Sequence, residues 1–155
     1  MRRTTGMRFV DTNVLLYSVS TDPREVEKAA AASRILEAPD LALSVQVLQE
    51  FFVQATRQGT GQSLSSEEAH GFIATWLRYP VQETTTELMR QAITASARWQ
   101  ISYWDAAVVE AARQLGCSEL LTEDLKEGQD YGGVRVVNPF RTADPGPIPT
   151  PEASG

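Results

Sequence analysis

The first apolar run of the chain, Arg8 to Val10, is short and β-rich. It gives way at once to Asp11, Thr12 and Asn13, three residues able to cap the helix that Val14, Leu15, Leu16 and Tyr17 begin. Residues 23–38 open on Pro23 at a first helical turn, carry alanines and charges at helical spacing, and stop before Pro39. Residues 41–44, LALS, read as a second strand. The stretch after it sets Val47, Leu48, Phe51, Phe52 and Ala55 on one helical face as far as Gly59. Ser65 and Glu68 form a capping-box pattern ahead of a helix that Pro80 punctuates, and residues 81–84 follow as an edge strand. Residues 86–100 read as another helix. Residues 102–116 read as the next, with Ser102 as N-cap and Gly116 where a left-handed residue is wanted. Residues 118–124 and 133–140 supply two late strands.

Strands separated by helices predict an α/β fold: a three-layer α/β/α sandwich around a central, mostly parallel sheet, with no internal repeat. In such sheets ligands sit beyond the carboxyl ends of the strands. At 155 residues, 42% of them hydrophobic, the chain has enough for one core. Residues 7–141 are expected to form that domain, 1–6 an N-terminal extension, and 142–155, rich in Pro, Gly and small residues, a disordered tail. The net charge of −6 sets the overall field against a polyanion, so contact with nucleic acid has to come from local basic groups or bound cations. One cysteine, Cys117, rules out an intramolecular disulfide and a cysteine-based zinc cluster and fits a reducing cytosol. His70 is also single, and neither a G-x-S-x-G elbow nor a G-x-x-x-x-G-K loop is present. No apolar run reaches the roughly 18 to 20 residues of a membrane span, and a cytoplasmic location is expected.

The chemistry lies in acids. Asp11 and Asp124 each follow an apolar strand and so fall at one edge of the sheet. Glu50 flanks the apolar face of its helix, and Asp105 stands in the first turn of a helix among Trp104, Ala106 and Val108. Each has a plain alternative: Asp11 as a helix cap, Asp105 as the acidic end of a Ser102 capping box, Glu50 as a solvated edge residue, Asp124 as a turn acid. Taken together, four converging carboxylates repel one another and lose hydration, and a hard divalent cation reverses both costs. Oxygen ligands favour Mg²⁺ or Mn²⁺, and the reaction implied is metal-assisted attack of water on a phosphodiester. His70 and Cys117 read as packing or surface residues. Trp76, Trp99 and Trp104 read as core and interface anchors in preference to a base-stacking platform.

The segments FVDTNVLLYS, LSVQVLQEFFVQAT, SYWDAAVVEAARQLGCSELLTEDL and GVRVVNPF together resemble, in order, the PIN-domain toxin ribonucleases of bacterial VapBC-type toxin–antitoxin pairs. The resemblance implies that Asp11, Glu50, Asp105 and Asp124 hold Mg²⁺ or Mn²⁺ and act in RNA cleavage, with Asn13 and Thr122 as polar neighbours that orient them. It further implies a homodimer, a cognate antitoxin covering the active site, and RNA held by basic residues among Arg8, Arg57, Arg78, Lys126 and Arg135. A PIN-like module that binds RNA or protein without cutting is the alternative of another class. A phosphatase using Asp11 as nucleophile is a further one, although its motif wants a second aspartate where Asn13 stands.

Overall fold

The computed structural model describes residues 6–59 and 63–141. The expected extension, apart from Gly6, and the expected tail lie outside these. Five parallel strands form one sheet: β1 (Met7–Val10), β2 (Leu41–Ser44), β3 (Val81–Gln82), β4 (Cys117–Leu121) and β5 (Arg135–Val137), in the order β3-β2-β1-β4-β5. The sheet is wholly parallel, and residues 81–82 form its edge as the sequence suggested.

The helices are α1 (Thr12–Ser18), α2 (Val26–Ile35), α3 (Val45–Ala55), α4 (Ser66–Trp76), α5 (Thr86–Trp99) and α6 (Tyr103–Gln114), with a 3₁₀ turn at Pro23–Glu25. From β1 to β3 the chain advances in one direction across the sheet, then jumps back over β1 to β4. Right-handed crossovers therefore put α1 to α4 on one face and α5 with α6 on the other. The packing agrees: α1 touches α2 and α3, α3 touches α4, and α5 pairs with α6. With both faces covered, the strand residues Phe9, Val10, Leu41, Leu43, Leu120 and Val136 are fully buried.

Local choices agree with this arrangement. Ser65 and Glu68 make both bonds of the capping box on α4. Ser102 caps α6, and Gly116 takes the positive φ of 76° that lets the chain leave that helix for β4. The helix expected to run to Gly59 ends earlier, at Ala55, where the Thr56 hydroxyl bonds back to the Phe52 carbonyl at 2.7 Å. Phe51 meets Trp76 edge to face at 4.8 Å between centroids, joining α3 to α4.

Candidate active site

The reversal of direction between β1 and β4 leaves a crevice at their carboxyl ends, the place where open α/β sheets take ligands. Register fixes what meets there. Val10 lies opposite Leu121, so the next residue of each strand, Asp11 and Thr122, are neighbours. The Asp11 N–H donates to the Leu121 carbonyl at 3.1 Å, and the Thr122 hydroxyl donates to Asp11 Oδ2 at 2.8 Å. Asp11 Oδ1 accepts from the Thr12 N–H at 2.8 Å, so Asp11 does cap α1 as its plain reading held. Among the described residues only Asp11 and Glu110 are buried acids.

Thr122 is the hub. Its hydroxyl, while donating to Asp11, accepts from Asn13 Nδ2 at 2.9 Å and from the Asp124 N–H at 3.0 Å, which uses its one proton and both lone pairs. The second Asn13 amide proton goes to Asp124 Oδ2 at 2.9 Å. Asn13 Oδ1 is left buried with no hydrogen-bond partner among the described residues. Glu50 is held from two sides: Oε1 accepts from the Thr12 hydroxyl at 2.7 Å, and Oε2 accepts from Gln46 Nε2, one turn earlier on α3, at 3.1 Å. The same Gln46 amide reaches the Trp104 carbonyl at 3.3 Å, tying α3 to the start of α6. The Asp105 N–H donates to Ser102 Oγ at 3.0 Å, but among the described residues its carboxylate does not return the bond that would complete a capping box.

All four acids, with Asn13 and Gln46, line one cavity of about 160 Å³. They also sense one another. Burial pushes the Asp11 carboxyl up to about 6; the bonds from Thr122 and Thr12 pull the other way, and the charges of Asp124 and Glu50 add to the rise. Burial raises Asp105 as well; the Ser102 side chain pulls the other way, and the charges of Asp124 and Glu50 add to the rise. Among the described residues, no three His, Cys, Asp or Glu side chains are drawn into a ready-made metal cluster; the carboxylates ring the cavity. The donor set nonetheless suits a hard divalent cation. It is all oxygen and it carries excess negative charge.

Sequence reasoning missed Thr12 and Gln46 as partners of Glu50. The four-residue spacing from Gln46 to Glu50 on one helix was the available signal for the second. A larger hollow, about 910 Å³, runs along α5 and the end of α6, but none of the four acids lines it. Arg113 in its wall is tied to Glu110 and to the Tyr131 and Gly132 carbonyls. His70 is exposed on α4. Cys117 is buried, which pushes its thiol up to about 11. Of the basic residues considered for RNA, Arg8 is committed to Asp40 through two bonds of 2.9 Å. Arg78 is committed to the Leu36 carbonyl and the Tyr79 hydroxyl. No helix among the described residues is long and apolar enough to cross a membrane.

Residues 8–126 match the family model of the PIN domain. No curated protein sequence matches significantly. Among solved structures, the chain is similar to Mycobacterium tuberculosis VapC20, a toxin that cleaves the sarcin–ricin loop, with 24% identity over 76% of this chain and 91% of that one and a TM-score of 0.59. VapBC2 from Rickettsia felis, bound to a DNA fragment from its promoter, matches with 14% identity over 85% and 98% and a TM-score of 0.59. A toxin–antitoxin complex from Klebsiella pneumoniae matches with 19% identity over 86% and 98% and a TM-score of 0.56. At these identities the structural likenesses speak for the fold alone. The family match, spanning most of the chain and all four acids, means that this chain belongs to the PIN-domain family.

Proposed function

We propose that this chain is a metal-dependent endoribonuclease and the toxin of a toxin–antitoxin pair. The observation that carries the reading is the convergence of Asp11, Glu50, Asp105 and Asp124, from four separate segments, on one cavity at the switch point of the sheet. Membership of the PIN-domain family supports it, as do structural relatives that are toxins or toxin–antitoxin complexes. The four acids would hold Mg²⁺ or Mn²⁺. A hard divalent ion there supplies charge neutralisation at the scissile phosphate and eases deprotonation of the attacking water.

The protein's own part is orientation. Thr122 and Asn13 fix Asp11 and Asp124 in one hydrogen-bonded group, while Thr12 and Gln46 hold Glu50 from opposite sides. Asp105 stands in the first turn of α6, where the Ser102 side chain is its hydrogen-bonding neighbour. RNA is the proposed substrate. A cognate antitoxin and a second copy of the chain are the proposed partners, and the cytosol, where Cys117 stays reduced, is the proposed location.

The test is to incubate antitoxin-free protein with total bacterial RNA and Mg²⁺ or Mn²⁺, with EDTA and Asp105→Asn as controls, and to map new ends by sequencing. Discrete cuts lost in both controls are expected. Protein that binds RNA without metal and never shortens it would make this a non-catalytic PIN domain.

A further inference from the structure

Beside the acid cavity the surface opens into a second, mostly apolar groove of about 350 Å³, a volume within the range of small-ligand sites. Its walls are Gln46, Gln49 and Val53 from α3, Arg57 just beyond the end of that helix, and Trp104 from α6, and it shares Gln46, Glu50, Gln54 and Trp104 with the cavity, so the two are continuous. Trp104 is 63% exposed and Val53 is 56% exposed. A large indole set in water beside a charged site is costly unless something covers it.

We propose that this groove is a nucleotide subsite. The base next to the scissile phosphate stacks on Trp104, and Arg57 takes an adjoining phosphate. The proposal rests on reading the acid cavity as the place where RNA is cut. Charge complementarity argues for this occupant. Arg57 is the one basic residue that lines the groove, and like most of the described basic residues it has no ion pair among them. In a chain of net charge −6, a free guanidinium at the rim of an acid cavity is a place for a phosphate that the carboxylates would repel.

The rim fits as well. The Gln46 and Gln49 side-chain amides border the groove and can both donate to and accept from a base edge. The indole is also positioned: the Gln46 amide bonds the Trp104 carbonyl, and the Tyr103 ring stands edge-on to the indole at 4.9 Å between centroids. Stacking on an exposed indole needs a base that has left its helix, so the substrate class is single-stranded or looped RNA and not duplex.

The experiment measures binding of a fluorescein-labelled, mixed-sequence 12-nucleotide RNA by anisotropy, as a single strand and as a duplex, to the full chain in EDTA. Trp104→Ala should weaken single-strand binding by roughly 5- to 150-fold, the range that one lost base stack spans, while Trp104→Phe recovers most of it. Arg57→Gln should weaken binding and lower the slope of log affinity against log salt by about one. Exposure of Trp104 makes misfolding of these variants unexpected, and circular dichroism checks it.

Wild-type protein that binds the single strand no better than the duplex overturns the proposal, as does Trp104→Ala protein that binds as tightly as wild type. A dimer that falls apart on Trp104→Ala would make the groove an interface between copies and also overturn it. Cleavage is read separately. Protein that binds through Trp104 yet cuts nothing defeats the nuclease reading alone, and protein that cuts but ignores the loss of Trp104 defeats this one alone.

Discussion

Burying Asp11 costs stability that depends on pH, and the sign is fixed by the direction of its shift. An aspartate ordinarily titrates near 3.8, and here the folded protein holds the proton up to about 6. The native state therefore binds that proton more tightly than the unfolded chain. The resulting stabilisation is complete below about pH 3.8 and is lost as pH rises through 6. At about 1.4 kcal/mol for each tenfold in affinity, the loss comes to about 3 kcal/mol in metal-free protein. The perturbation is Asp11→Asn, which has no proton to lose. Its Oδ1 keeps the bond from Thr12, while its Nδ2 faces a Thr122 hydroxyl whose lone pairs are already taken. That mismatch adds a fixed penalty at every pH and leaves the slope alone.

The assay is urea unfolding in EDTA from pH 4 to pH 7, comparing the variant with wild type. The wild type should lose about 2 kcal/mol relative to the variant over that range, the rest of the change lying below pH 4. For a domain unfolding at about 1–3 kcal/mol per molar urea, this moves the difference between midpoints by about 0.7 M or more. Saturating Mn²⁺ at pH 7 should then restore wild type by about 2.7 kcal/mol at a hundredfold excess over its Kd and leave the variant much less affected. A wild-type-minus-variant difference that stays flat across pH 4 to 7 would refute the reasoning, since a titrating buried carboxyl cannot be silent in it.

Other consequences are simpler to check. Thr122→Val removes one donor and one doubly used acceptor at a buried position and should cost about 1–3 kcal/mol in urea unfolding, with weaker Mn²⁺ binding seen by calorimetry. Serine in its place, which keeps the hydroxyl, should recover most of both. Cys117 should resist a thiol reagent at pH 8 in native protein and react within the mixing time in denaturant, because burial both shields it and keeps it protonated. Rapid labelling of the native protein would mean that the end of β4 opens readily.

The elements were legible because each carries its own punctuation: the Asp11 junction, the Ser65 capping box, Ser102 and Gly116 at the ends of α6. The acids were legible singly, as carboxylates after strands or among apolar neighbours. Strand order was not, because nothing local says that the chain crosses back over β1 before laying down β4, and it is this jump that puts Asp11 beside Thr122. The Thr12 bond to Glu50 spans 38 positions and depends on that assembly. The three tryptophans show the same limit. Trp76 is buried and Trp99 half-buried, in keeping with core anchors, but Trp104 faces solvent although it sits among the same small and branched residues. Periodicity tells which residues share a face and not whether a neighbour covers it.

The strand order also bears on when the site can exist during synthesis. β1 is made first but lies in the middle of the sheet, and its site-side neighbour β4 is nearly the last strand to leave the ribosome. A nascent chain that already carries Asp11, Glu50 and Asp105 still lacks Thr122 to set Asp11 and lacks Asp124 altogether. Whatever the cavity does, chains that terminate before β4 is complete lack the groups to do it.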